Sequence, residues 1–133
     1  ILDMTSLLFN ELCAAAAACP NPDMFAGLRD VARAVEACTK DDGIADIEEQ
    51  FQDQLFHMVR RPFFELITRV ALQMAHSEFG HGHGLTIEFG LQRWKESRRV
   101  IIDAILRRDP ELARFEANRR NRSVVMRGTA AES

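Results

Sequence analysis

The chain has 133 residues, enough for one domain around one core. Hydrophobic residues make up 47% and charged residues 28%, the balance of an ordinary globular protein. A net charge of -3 argues against a surface that grips a nucleic-acid backbone, and the short run Arg119-Arg120-Asn121-Arg122 reads as a solvated helix face.

Gly and Pro fall in clusters, and the segments between them carry helical periodicity. The first helix is expected from about Met4 to Cys19, with Leu7, Leu8, Leu12 and an alanine run suited to close packing against a neighbour. Pro20-Asn21-Pro22 ends it and starts the second, with Asn21 as N-cap, Pro22 in the first helical position and Asp23 in the first turn. That second helix runs to about Cys38 on the stripe Met24, Phe25, Leu28, Val31, Ala32 and Val35. Asp41-Asp42-Gly43 breaks the pattern.

A third helix begins near Ala45 with Ile47, Phe51, Leu55 and Met58 on one face. Asp53 and His57 lie beside that stripe, four residues apart, so both project from one side of the helix. That spacing suits two metal ligands, one wall of a polar pocket, or a plain surface pair. Pro62 marks a break or kink. The fourth helix, about Phe63 to Glu78, is apolar over most of its circumference and is expected to be central and largely buried. Gly80-His81-Gly82-His83-Gly84 is a flexible connector. His76, His81 and His83 invite a metal reading, but a glycine-rich loop has a high ordering entropy and no fixed geometry, so a plain loop is the expectation.

The fifth helix runs from about Ile87 or Leu91 to Arg107, with Trp94 as core or pocket wall. Asp109-Pro110-Glu111 is the strongest cap in the chain: Asp as N-cap, Pro at N1 and Glu at N2 agree. The last helix carries Leu112, Phe115 and, further on, Val124 and Val125. No segment alternates with period two. Residues 1–133 read as a single all-α domain, an antiparallel bundle of about six helices.

Cys13, Cys19 and Cys38 are odd in number and lack CxxC spacing, as expected of reduced thiols in a cytoplasmic protein. Neither a secretory signal nor a transmembrane run is visible, so no membrane partner is expected. The chain starts on Ile rather than Met, as a piece of a longer protein would.

Three pieces, in this order and spacing, carry a family resemblance: Glu11 before the alanine run, Asp53-Gln54-Leu55-Phe56-His57, and Ile101-Ile102-Asp103-Ala104-Ile105 followed by Asp109. Together they resemble the C-terminal, FCD-type ligand-binding domain of FadR-like transcription regulators in the GntR superfamily, over most of the chain. The resemblance implies a homodimeric effector-sensing domain. Its DNA contacts would be made by an N-terminal winged helix-turn-helix that this chain does not contain. It implies no enzyme.

Many members of that family bind a divalent metal through one Asp and three His. Asp53 and His57 match two ligand positions, but the other two fall on Arg98 and Arg120. A guanidinium has no lone pair for a cation, so no metal and no other cofactor is expected; a residual metal would sit on Asp53 and His57. The family's Arg one turn before Glu11 is Leu7 here, and the stretch between His57 and Pro62 is shorter than usual. The resulting expectation is a pocket inside the bundle lined by Asp53, His57, Arg98, Arg120 and Trp94. Arg98 and Arg120 there clamp a small anionic metabolite, most simply a carboxylate. The opposing reading is that the arginines pair with Asp53 or Glu116 and fill the vacated metal site. A structural dimerisation module without ligand and a metal-binding bundle are the remaining alternatives.

Overall fold

The computed structural model describes residues 2–78 and 83–120, with side chains placed for 4–74 and 90–120. Within these, the chain forms α1 (Leu2–Ala17), α2 (Phe25–Ala37), α3 (Ile44–Val59), α4 (Pro62–Glu78), α5 (His83–Leu106) and α6 (110–120), with no strand. The all-α expectation holds, and each boundary has a local cause.

Asn21 Oδ1 accepts from the Asp23 N–H at 3.0 Å, but the turn it caps is a short 3-10 segment, Pro22–Met24, that feeds α2. Asp41–Gly43 is likewise a 3-10 turn leading into α3. Arg60 closes α3 in the left-handed region (φ 51°, ψ 49°), its N–H bonded to the Phe56 carbonyl, and Pro62 opens α4. Asp109 caps α6 as expected, its carboxylate accepting from the Leu112 N–H at 3.1 Å. α5 is helical from His83 but interrupted at Gly90 (φ 80°, ψ 158°), a conformation open chiefly to glycine. The side chains of His76, His81, His83, Val124 and Val125 lie outside the described residues.

The core is built mainly by α1, α2, α3 and α5. Phe9, Leu12, Cys13 and Ala16 of α1 meet Phe25, Leu28, Val31 and Val35 of α2, Phe51 and Leu55 of α3, and Ile101, Ile102 and Ile105 of α5. The Phe9 and Phe51 rings pack edge to face, centroids 6.2 Å apart. Small side chains let the helices approach: Ala14, Ala16 and Ala17 are buried on α1, as are Ala113 and Ala117 on α6. At the far end of α2, Lys95 of α5 donates its ammonium to the carbonyls of Glu36 (2.8 Å) and Cys38 (3.0 Å), two groups that the helix end leaves unpaired.

One expectation fails. α4 is not a buried central helix. Thr68 and Ala71 are its buried side chains among those described, whereas Phe63 is 82% exposed and Leu66, Ile67, Val70 and Met74 are each about half exposed. A helix apolar all round has two faces to bury. Here α1 covers one of them, and the other points outward.

Candidate functional site

Among the described residues, a charged pair with two-pronged geometry bridges α3 and α5 inside the bundle. Glu48, on α3, lies three residues before Phe51 and seven before Leu55, so helical periodicity turns it toward the core. Arg98, on α5, lies three residues before Ile101 and is turned the same way. The guanidinium grips the Glu48 carboxylate with two prongs: Nε donates to Oε1, and Nη2 donates to Oε2 at 2.9 Å. Trp94, one turn earlier on α5, donates its indole N–H to the same Oε1 at 2.7 Å. Three N–H donors thus converge on one carboxylate.

The surroundings fix the charge states. Arg98 is 12% exposed and Glu48 21%. The guanidinium lies over the rings of Phe9 (5.4 Å) and Phe51 (5.5 Å), within reach of cation–π attraction. Burial pushes the Glu48 carboxyl upward, but the charge of Arg98 and the bonds from Arg98 and Trp94 outweigh it, leaving Glu48 below its ordinary 4.5. Burial also opposes the charge on Arg98, and Glu48 reverses the effect, so the guanidinium is held charged. Cys13, fully buried nearby, has its thiol pushed up to about 12 by burial.

The five sequence-derived pocket residues are not brought together as one set. Trp94 and Arg98 meet on Glu48. Asp53 and His57 lie about 140° and 180° around α3 from Glu48 and are exposed. Asp53 accepts from Arg69 Nη2 of α4 at 3.1 Å, and the Arg69 guanidinium lies 4.4 Å from the Phe56 ring centroid. Arg120, half-buried on α6, faces Glu116 at 3.6 Å, too long for a hydrogen bond. Arg120 Nε and Glu116 Oε2 are buried and lack hydrogen-bond partners in the described structure. Glu116 is the acidic neighbour of Arg120, while Arg98 is paired with Glu48, which the sequence reading did not name. Glu48 had a signal: it is a carboxylate on the same helical face as Phe51 and Leu55.

A family-type metal does not fit these side chains. Arg98 is committed to Glu48, and among the described residues no three His, Cys, Asp or Glu side chains gather around a common point. Glu11, the other residue the resemblance rests on, pairs with Arg114 of α6 (2.8 and 3.3 Å), which holds its carboxyl below the ordinary range.

Residues 1–119 match the family model of the FCD domain. The chain belongs to the FCD family. It is therefore of the FadR C-terminal-like kind found in GntR-family regulators, a class of effector-binding and dimerisation domains in proteins that control transcription. Comparison with curated proteins and with solved structures found no match. Among the described residues no helix of this FCD domain is long and apolar enough to cross a membrane.

Proposed function

We propose that this FCD domain senses a small anionic metabolite bearing a carboxylate, and that Arg98 and Trp94 hold that carboxylate where Glu48 now sits. The regulator would act as a homodimer on DNA, through a DNA-binding domain outside this chain. The observation that carries the reading is the convergence of the Arg98 fork and the Trp94 indole N–H on a single carboxylate inside the bundle. Such a constellation is a carboxylate receptor whatever molecule supplies the carboxylate. Glu48 supplies it from α3.

An effector acid competes with Glu48 and breaks the bridge between α3 and α5. The two arrangements differ in which groups satisfy Arg98, so a ligand that binds one of them shifts the balance toward it. Asp53, His57 and Arg120, which the sequence placed around the same ligand, have little part in this reading.

A thermal-shift screen of organic acids tests it. An acid at about a hundred times its dissociation constant adds roughly 2.7 kcal/mol, a rise on the order of 10 °C for a domain of this size. Arg98→Lys keeps the charge but loses the fork, and Trp94→Phe loses the indole donor; both are expected to shrink the shift. Glu48→Gln is expected to tighten binding by about tenfold, because the internal competitor loses its charge. Acids that stabilise wild type and Arg98→Lys equally, or a screen in which only neutral and cationic compounds act, would contradict the reading. In that case the pair is a permanent lock between α3 and α5.

A further inference from the structure

We infer that the outward face of α4 is the surface through which two copies of this domain join. The inference rests on the dimerisation implied by the family and assigns it a face.

Phe63, Leu66, Ile67, Val70 and Met74 recur at three- and four-residue spacing, so they fall within about 100° of the helix circumference. They are 82%, 60%, 55%, 46% and 46% exposed. No charged side chain interrupts the stripe. At these exposures it presents on the order of 500 Å², near the top of the ~300–600 Å² that a monomer's largest apolar patch shows. It is more than half of the ~800 Å² that each partner buries in a stable interface. Glu65 and Arg69, toward one flank, are bonded to each other at 2.9 Å, and Arg69 also reaches Asp53. That flank therefore brings no uncompensated charge against a partner, and an apolar centre with a polar rim is the usual anatomy of an interface.

A second copy fits this surface because the stripe complements itself. Two-fold pairing sets the same patch against itself. With the helices antiparallel, the two-fold axis falls between Ile67 and Val70, and Phe63 of one copy meets Met74 of the other. Sulfur against the edge of an aromatic ring is a favourable contact.

Light scattering and sedimentation on the 133-residue chain are expected to show a dimer at micromolar concentration. Ile67→Asp and Val70→Asp each place a charge at the centre of the stripe and should weaken the dimer by roughly a hundredfold. The helical circular dichroism of both should match wild type, since both sites face outward. Val70→Cys should give a dimer linked across the axis on oxidation, because Cys13, Cys19 and Cys38 are buried and do not compete. A wild-type dimer that survives both aspartates, and fails to cross-link through Val70→Cys, would overturn the α4 assignment while leaving dimerisation standing. A wild-type chain that stays monomeric would overturn both.

Discussion

A carboxylate and a guanidinium buried together stay charged only while each compensates the other. Removing one partner of the Glu48–Arg98 pair strands the remaining charge, so Glu48→Ala is expected to cost about 3–5 kcal/mol in a urea melt. Replacing both by apolar residues of similar volume should cost far less than the single change, and a double-mutant cycle would expose the coupling. The pH dependence follows from the same pair. The pKa of Glu48 is lowered in the folded state, so its stabilisation is complete above the ordinary 4.5 and is lost as pH falls through the lowered value. The melting difference between wild type and Glu48→Gln should therefore be largest near neutrality and should shrink in acid below about pH 4.5. A difference that grew on acidification would contradict the assignment. Cys13 belongs to this neighbourhood too. Its thiol, pushed up to about 12 by burial, should resist alkylation in the native protein. At this scale the sequence was half legible. Arg98 is visible through the resemblance and Trp94 through helical spacing, whereas Glu48 escapes both, although it sits on the apolar face of its own helix.

At the scale of elements, caps were the most readable features because they are local. Asp109 behaves as its sequence context implies, and Asp109→Ala should cost about 1 kcal/mol of stability. Arg60 was not readable as a cap, since nothing in its side chain favours the left-handed region. The closing turn of α3 and Pro62 at the start of α4 place it there. Arg60→Gly is expected to stabilise the fold by roughly 0.5–1 kcal/mol, measured as a raised urea midpoint at unchanged slope. Asp53 and His57 show why spacing alone misleads. Four residues apart, they do share a side of α3, but it is the side turned away from Glu48, and α4 reaches Asp53 through Arg69. Their i,i+4 relation was legible; which side faced inward depended on where α4 docked.

For the whole molecule, the bundle and its family followed from helical periodicity together with a few ordered motifs, and the match over residues 1–119 bears this out. The placement of α4 did not follow. A helix apolar around most of its circumference signals burial without naming the partner, and its outward stripe leaves room for a second chain. Effector and dimer lie on different parts of the fold in this account. The charges introduced by Ile67→Asp should therefore leave acid binding at Arg98 intact. Binding that vanished with the dimer would show that the two are one site.

Trp94 is the chain's one tryptophan, and its indole N–H is bonded to Glu48, so the protein carries a reporter at the point in question. The most direct test is a titration of organic acids followed by the fluorescence of that indole. A saturable change is expected for at least one carboxylate, at lower concentration in Glu48→Gln than in wild type. The change should be weaker in Arg98→Lys, which keeps the charge but loses the fork. A Trp94 signal that no acid moves in wild type or in Glu48→Gln would rule out carboxylate sensing at Arg98 and leave Glu48 and Arg98 as a structural lock alone.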